Sequence, residues 1–300
     1  MRIKMTKMFM IAVAAILFVA CDGRAVGTNN NSNAAENALE TKASKKGMTV
    51  LRKLNYFNSI KVNVPCDVYF MQGNASKARI VGTHEAISKL EFVVDRNGQL
   101  SISSKKSCNN IFFGCNTEKL KIYLTSIDLI ALNMMGAGDF KTLTPIDTDN
   151  LNVTMSGAGD IDFEKPVICD NFSVVLRGAG DIDFKSVETR KASVELYGTG
   201  DIDLNLHKVV STDVSVKGTG DVDVNFDRCG SASCSLYGTG DIELSGSLRS
   251  FSQKKYGTGS IDSEKLKIVL RLRAISFFNC CFIIVVPYCH LTTFFFPFTM

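Results

Sequence analysis

The sequence contains no tryptophan, and only three histidines and five prolines among its 300 residues. Histidines this sparse form no recognisable Ser/His/Asp or Cys/His arrangement, so nothing in the sequence indicates nucleophilic catalysis. No uninterrupted run of about 20 apolar residues occurs, which is the length that a membrane-spanning helix needs. The composition, 45% hydrophobic and 21% charged, nevertheless excludes a wholly disordered chain and allows a sizeable core.

Basic residues are also scarce in the middle of the chain. The formal net charge of +4 depends on six bases at the two ends, and residues 21–265 without them carry −2. These bases are Arg2, Lys4, Lys7, Lys267, Arg271 and Arg273. A nucleic-acid surface needs Lys and Arg concentrated on one face. The sequence therefore predicts no nucleic-acid partner.

The N-terminus has the pattern of an export signal. Residues 1–20 combine a basic start with an apolar stretch too short to span a bilayer, which predicts a lipoprotein-type signal peptide. Ala20 before Cys21 resembles a lipobox, although Phe18 stands where a leucine is usual. We therefore expect cleavage before Cys21, lipidation of Cys21 and membrane attachment through that lipid; a secreted protein without lipid is the alternative. Residues 21–48, rich in Asn, Ala, Lys and Ser, are predicted to be a flexible tether.

The C-terminal segment 266–300 differs abruptly from the rest. It holds seven of the 20 phenylalanines and no acidic residue, and Pro287 and Pro297 interrupt its apolar stretch. Three interpretations stay open: a reading-frame change near Lys265, a terminal membrane anchor and a genuine extension. The segment is therefore set apart from the domain predicted for residues 49–265.

A repeat organises that domain. The motif Gly-Ala/Thr-Gly-Asp, with serine in its last copy, recurs at intervals of 21, 21, 20, 20, 20 and 19 residues. The first glycines are Gly136, Gly157, Gly178, Gly198, Gly218, Gly238 and Gly257. Apolar residues alternate with polar ones before each motif and again after it, which is typical of strands with one buried face. Stacked units of this length predict an all-β fold: a single-stranded, right-handed parallel β-helix, or β-solenoid, with rungs of about 20 residues.

Acidic residues repeat at two positions of each unit. The first set follows the glycines at the corner: Asp139, Asp160, Asp181, Asp201, Asp221 and Asp241. Carboxylates about 4.8 Å apart could recruit a divalent cation such as Ca²⁺, and this set is the candidate metal site; no other cofactor is expected. The alternative is that the aspartates accept backbone N–H groups at the turn. A second, outward-facing set lies two residues further on: Asp162, Asp183, Asp203, Asp223, Glu243 and Asp262.

A third column precedes the corner. It contains Tyr197, Tyr237 and Tyr256 together with Arg177 and Lys217. Tyrosines on a flat β surface can stack on sugars or anchor a protein, so the three tyrosines are the candidate ligand-binding residues. The alternative is that they are ordinary strand residues.

The cysteines have two different predicted roles. Cys66 and Cys234 fall on inward positions and are predicted to be core residues. Cys108 and Cys115 could form a disulfide across a hairpin, a question that the sequence leaves open.

Taken together, these motifs resemble the bacterial envelope family described as "putative autotransporter adhesin, head GIN domain". The resemblance covers about residues 50–263 and rests on the pattern between Phe57 and Gly73, on Gly98 to Ile102, and on the glycine-aspartate series. It implies a right-handed β-helix, often on lipoproteins, and a role in adhesion. Family members usually end in a further glycine-rich coil, which this chain replaces with the Phe-rich tail.

We therefore expect a non-enzymatic lipoprotein of the cell envelope, at the outer membrane, facing the periplasm or the exterior. It would act as an adhesin that presents the solenoid as a binding or scaffolding surface for a glycan or protein. The alternative is a polysaccharide-binding or glycan-cleaving β-helix, since many β-solenoids cleave polysaccharides. The regular spacing of the repeats favours the non-enzymatic interpretation, because catalytic solenoids usually carry long loops around a cleft.

Overall fold

The computed structural model describes residues 41–44, 47–105 and 120–269. The predicted signal peptide, Cys21, most of the predicted tether, the Cys108 and Cys115 pair and the tail from residue 270 lie outside the described residues. The described part consists almost entirely of strands, with one short helix, α1 (His84–Ser88). In this part of the chain no helix is long and apolar enough to cross a membrane.

The first strands are β1 (Thr41–Ser44), β2 (Gly47–Lys53), β3 (Ser59–Val62), β4 (Asp67–Gln72), β5 (Lys77–Gly82), β6 (Leu90–Val94), β7 (Gln99–Ser104), β8 (Lys121–Ser126), β9 (Ala131–Met134), β10 (Phe140–Thr142), β11 (Ile146–Asp147) and β12 (Asn150–Met155). They are followed by β13 (Ile161–Phe163), β14 (Val167–Ile168), β15 (Asn171–Leu176), β16 (Ile182–Glu188), β17 (Lys191–Leu196), β18 (Ile202–His207), β19 (Ser211–Val216), β20 (Val222–Asp227), β21 (Ser231–Leu236), β22 (Ile242–Leu248), β23 (Ser250–Lys255) and β24 (Ile261–Ile268).

The strands form two sheets that meet at the glycine corners. The pre-corner sheet has the order β23-β21-β19-β17-β15-β12-β9-β3-β7-β6, and the post-corner sheet runs β1-β2-β5-β8-β4-β10-β13-β16-β18-β20-β22-β24. From β9 onward each strand pairs in parallel with its counterpart one coil away, for example β17 with β19 and β18 with β20. The predicted β-solenoid with coils of about 20 residues is confirmed, with about seven turns.

The register of the coils places residues of the same kind next to one another in successive coils. Val174, Val194, Val214 and Cys234 follow one another in the pre-corner sheet and are buried. Aromatic rings form a comparable stack in the post-corner sheet, where the Phe163 and Phe184 centroids are 4.2 Å apart. Alternation along each strand therefore fills the interior with apolar ladders, as the period-2 pattern predicts.

The two cysteines predicted to be core residues are buried. Cys66 is 2% exposed and Cys234 is fully buried. Burial raises the pKa of both thiols to about 12, so both are protonated at neutral pH. Their role in the described structure is packing.

The corner glycines are required because neighbouring coils approach closely. A Cβ at Gly198 would lie 2.0 Å from the carbonyl oxygen of Gly178, and one at Gly200 would lie 2.0 Å from that of Gly180. Positive φ is not what selects glycine at these corners. Among the described residues, only Gly98 and Gly246 are glycines with positive φ, and neither belongs to a Gly-x-Gly corner.

The N-terminal strands form an irregular cap, here residues 47–105 and 120–127. Four of its strands are β5, β6, β7 and β8, and two of the pairings among them, β5 with β8 and β6 with β7, are antiparallel. The coil formed by β3 and β4 lies between the later pair β7 and β8 and the first regular coil, so stacking order and chain order differ. The helix α1 was not predicted; Thr83 caps it by accepting the backbone N–H of Ala86 at 3.2 Å.

Strands continue past both predicted ends of the domain. At the N-terminal side, β1 pairs antiparallel with β2 inside the span predicted as tether. At the other side β24 ends at Ile268. β23 forms the edge of the pre-corner sheet with almost all of its residues exposed, as expected for a coil that ends a solenoid with polar side chains.

Candidate functional site

The tyrosine column is the most distinctive surface of the regular coils. We use this name for Arg177, Tyr197, Lys217, Tyr237 and Tyr256, each of which directly precedes the first glycine of its corner. The backbone N–H of each residue donates to the carbonyl group of a residue in the preceding coil, which keeps the column in register. The tyrosines are 36%, 50% and 67% exposed in chain order, so their rings face solvent.

Cations and aromatic rings alternate along most of this column. The guanidinium carbon of Arg177 lies 4.5 Å from the Tyr197 ring centroid, and Nζ of Lys217 lies 4.8 Å from the same ring on its other side. Lys217 Nζ also donates to the Tyr197 hydroxyl at 3.2 Å, and this hydrogen bond raises the pKa of Lys217. Tyr237 and Tyr256 then stack directly, with centroids 4.9 Å apart. These contacts order side chains that would otherwise be free on an exposed face.

A shallow groove of about 750 Å³ runs beside one end of the column. Its lining residues include Met135, Ser156, Arg177 and Tyr197, together with the glycines and alanines of the corners and Thr199. Because most of these lining residues have small side chains, an extended ligand lying along the solenoid axis could approach the backbone while contacting the Tyr197 ring. The sequence indicated the tyrosines but not the groove.

The corner aspartates bond the coils to one another. Oδ1 of each accepts the backbone N–H of the residue at the same corner one coil later, as between Asp201 and the N–H of Asp221 at 2.8 Å. The other five distances in chain order are 3.1, 3.2, 2.9, 2.7 and 2.6 Å, for Asp139, Asp160, Asp181, Asp221 and Asp241. The sequence-based alternative, that these aspartates accept backbone N–H groups, agrees with this geometry, although the donor lies in the next coil.

Metal binding at the corner column stays a prediction. Within residues 41–44, 47–105 and 120–269, no group of three or more His, Cys, Asp or Glu side chains is placed to hold a metal ion. A calorimetric Ca²⁺ titration of the chain against the Asp160, Asp181 and Asp201 to Asn triple variant tests it. Saturable binding that the variant loses would support the prediction, and equal behaviour of the two proteins would refute it.

The outward acidic column lies on the post-corner sheet, two residues beyond the corner. Desolvation, and then the neighbouring aspartate of the column, raise the pKa of Asp183, Asp203 and Asp223 above its ordinary value. Lysines pair with two members of the column, with Lys141 Nζ 2.6 Å from Asp162 and Lys265 Nζ 2.5 Å from Glu243.

A parallel amide ladder adjoins the acidic column, and sequence analysis missed it. Asn225 Nδ2 donates to Asn205 Oδ1 at 3.1 Å, and Ser245 Oγ donates to Asn225 Oδ1 at 3.2 Å. The two columns together line a depression of about 440 Å³. The repeat period could have revealed the ladder, since these three residues occupy one position of successive units.

The two histidines among the described residues do not form a catalytic group. His84 begins α1, and Nδ1 of His207 lies 3.3 Å from Asp227 on the solvent-facing side of the post-corner sheet. Asp227 is in turn paired with Arg228 at 3.0 Å, and the Arg228 and His207 contacts lower its pKa. His207 and Asp227 therefore belong to a surface ion-pair network.

Comparison with known proteins gives a consistent picture. The model of the family described as "Putative auto-transporter adhesin, head GIN domain" matches residues 56–247. Among solved structures, a putative adhesin from Bacteroides fragilis is similar at 27% identity and a TM-score of 0.65, covering 73% of this chain and 97% of that one. No curated protein matches the sequence.

Two further structures, from Parabacteroides species, share the fold at lower identity. A putative adhesin from Parabacteroides merdae is 16% identical, with a TM-score of 0.56 and coverage of 73% and 96% of the two chains. A structure titled "Putative lipid binding protein" from Parabacteroides distasonis is 21% identical, with a TM-score of 0.54 and the same coverages. At these identities the likeness shows the fold alone.

Proposed function

The chain belongs to the family described as "Putative auto-transporter adhesin, head GIN domain", and from that premise we propose that it is a non-enzymatic adhesin of the cell envelope. In this proposal a lipid on Cys21 holds the protein at the outer membrane, and the tyrosine column contacts a glycan chain. The observation that carries the proposal is the column itself: exposed tyrosine rings held in register by flanking cations and by one another.

The geometry suits an extended, repeating ligand. Successive coils are about 4.8 Å apart, so the column offers ring edges, hydroxyl groups and cationic N–H donors at regular steps along the solenoid axis. The exposed edge of a tyrosine ring is apolar and its hydroxyl group is polar, which match the apolar and hydroxyl-bearing surfaces of a sugar ring. The groove beside Tyr197 leaves room for the glycan next to the tyrosine rings.

Glycan-array binding of the full chain tests this contact. Replacing Tyr197 and Tyr237 by alanine is expected to reduce binding at least about tenfold, because exposed aromatic anchors dominate such contacts. Tyr56→Ala is a matched control, since Tyr56 is 51% exposed and Tyr237 50%, but Tyr56 lies in the cap. Equal binding by the double variant and the wild type would refute the column as the contact surface.

Membrane attachment is tested separately. The full chain expressed with its N-terminus is expected to partition into detergent and to carry a lipid mass on Cys21. The Cys21→Ser variant is expected to lose both properties. Wild-type protein without the added mass would leave a secreted protein, the alternative from the sequence.

Glycan cleavage is the second candidate, and the acidic column is the observation that favours it. Paired carboxylates with raised pKa values beside a depression could protonate and attack a glycosidic bond. However, such enzymes need one protonated and one ionised carboxyl group, whereas Asp183, Asp203 and Asp223 are all shifted in the same direction. A reducing-end assay on any glycan that binds decides between the two functions, with Asp203→Asn as the test variant.

A further inference from the structure

The cap contains a concavity that the regular coils do not contribute to. This cap cavity measures about 760 Å³ and lies on the outer side of β2, β5, β8 and β4. Its volume is within the range of about 300–1,000 Å³ that is usual for small-molecule sites. The tyrosine column precedes the glycine corners of the later coils, and no residue of it lines the cavity.

Large apolar side chains face the cavity without being buried. Leu51, Tyr56 and Ile127 are 39%, 51% and 53% exposed, and Met71 adds a flexible thioether. The rim at Ile127 is fixed, because Nε2 of Gln72 donates to the Ile127 carbonyl at 3.0 Å and to that of Asp147 at 2.8 Å. A fixed, exposed apolar surface in a concave place is a feature of ligand sites.

The charge around this surface is of one sign. Arg52, Lys53, Lys77 and Arg79 are among the lining residues, which include no Asp or Glu. The guanidinium of Arg52 lies 5.2 Å from the Phe92 ring centroid, and Phe92 belongs to β6 of the pre-corner sheet, so Lys53, Lys77 and Arg79 are the lining cations on the outer side of the post-corner sheet. In the part of the chain that the structure describes, no ion pair engages any of these three.

The Arg79 side chain is held in place by a stack of two tyrosine rings. Its guanidinium carbon lies 3.8 Å from the centroid of the Tyr123 ring, and Tyr123 stacks on Tyr69 with centroids 4.8 Å apart. A cation ordered in this way loses little conformational freedom when it binds an anion. The stack therefore prepares Arg79 as an anchor for a negatively charged group.

We propose that the cap cavity binds a single-chain anionic amphiphile, of the fatty-acid type, taken up as a monomer. The alkyl chain packs against Leu51, Met71 and Ile127, and the carboxylate lies among Lys53, Lys77 and Arg79. A nucleotide would leave the aliphatic surface unsatisfied, and a neutral sugar would leave three cations without a counter-charge. This inference goes beyond glycan contact at the tyrosine column and does not depend on it.

The probe is an 11-carbon fatty acid that carries a dansyl group, titrated into the full chain and then displaced by dodecanoate below its critical micelle concentration. We expect saturable fluorescence enhancement, displacement by dodecanoate, and weaker binding at high salt because the ion pairs are screened. Dodecyltrimethylammonium, with the same chain and the opposite charge, is expected not to displace the probe.

Two variants test separately the contact with the carboxylate of the ligand and the contact with its alkyl chain. Arg79→Glu is expected to weaken dodecanoate binding at least about tenfold, since a charge-assisted contact becomes repulsive. Ile127→Asp is expected to weaken it to a similar extent by placing a charge on the apolar surface. Both positions are exposed, so thermal melts should stay near that of the wild type. Tyr237→Ala is the matched control and should bind dodecanoate as the wild type does.

Three results would overturn the inference. The first is no saturable probe signal, and the second is equal displacement by the anionic and the cationic amphiphile. The third is binding to anionic phosphatidylglycerol vesicles that dodecanoate does not inhibit, which would indicate a membrane-facing basic surface. If dodecanoate binds as expected but the glycan array shows no binding, only the proposed function is refuted, and the inference about the cap cavity stands.

Discussion

The cap and the regular coils use strands of similar length to make different surfaces. In the coils each strand lies on an equivalent strand, so side chains of one kind align in columns and the outer faces stay shallow. In the cap the strand pairings change direction, and side chains of different kinds meet around the cap cavity. Repetition therefore produces extended contact surfaces, whereas its interruption produces a concave site.

The two regions also differ in how closely their backbones approach. The coils tolerate no Cβ at their corner glycines, because the carbonyl groups of the preceding coil lie within about 2 Å of that position, as at Gly200. In the cap, a Cβ at Gly73 would meet only the Thr125 side chain, at 3.1 Å. This contrast gives the largest expected effect.

Gly200→Ala is expected to destabilise the protein by at least about 4 kcal/mol, because a backbone group of the neighbouring coil must move. Gly73→Ala, the matched change in the cap, is expected to cost about 1 kcal/mol or less, since a side-chain methyl can yield. Urea denaturation followed by circular dichroism measures both free energies of unfolding. Similar losses would mean that close coil approach is not what selects glycine at the corners.

The aromatic core gives the next largest contrast. Phe184 is fully buried and contacts Phe163 and Phe172 at centroid distances of 4.2 and 4.8 Å, so Phe184→Ala should cost about 4 kcal/mol. Phe92 in the cap is only partly buried, and Phe92→Ala should cost about half as much. If Phe92→Ala proves the more damaging, the cap rather than the coils limits stability.

The corner column gives a smaller effect. Asp201→Ala removes the acceptor for the Asp221 N–H and should lower the free energy of unfolding by about 1 kcal/mol. Asp201→Asn retains a side-chain oxygen at the same place and should cost less than half of that. Both values come from the same urea experiment. Equal stabilities of the alanine variant and the wild type would show that water replaces the carboxylate without loss.

The regular part of this architecture was predictable because every coil repeats the same local information. The glycine spacing and the period-2 alternation were enough to predict the coils, the inward ladders and the exposed tyrosines, all of which the structure contains. The bonding partner of each corner aspartate was less accessible. Its donor lies about 20 residues away, and only the stacking register identifies it.

The cap resisted sequence analysis for a physical reason. The β3 and β4 coil lies between coils that follow it in the chain, and no local pattern encodes that order. The cap cavity is lined by Leu51, Met71, Arg79 and Ile127 from four separate segments, which the antiparallel pairings of β2, β5 and β8 and the parallel pairing of β4 with β8 bring together. A non-repeating region offers no second copy of a position by which such neighbours could be recognised.

The smallest expected effect concerns the pH dependence of stability. It is seen by comparing two carboxylates of neighbouring columns, Asp203 and Asp241. Hydrogen bonds from Ser260 lower the pKa of Asp241, so its contribution to stability is present above the unfolded value near 3.8 and disappears as pH falls through the lower folded value. Desolvation and then Asp183 raise the pKa of Asp203 above 3.8. The folded state therefore binds its proton more readily, and stability falls as pH rises from about 3.8 through that raised value.

The asparagine variants should consequently shift the pH dependence of unfolding in opposite directions. Asp203→Asn is expected to stabilise the protein by a few tenths of a kcal/mol at pH 7 and to have no such effect at pH 3. Asp241→Asn is expected to lower the free energy of unfolding at pH 7, and the difference from the wild type should disappear below pH 3. Urea midpoints measured between pH 2.5 and 7 test both. If the urea midpoints of both variants and of the wild type change with pH in parallel, neither carboxylate has a pKa shifted by its neighbours. The register of the coils would then have no electrostatic effect on stability.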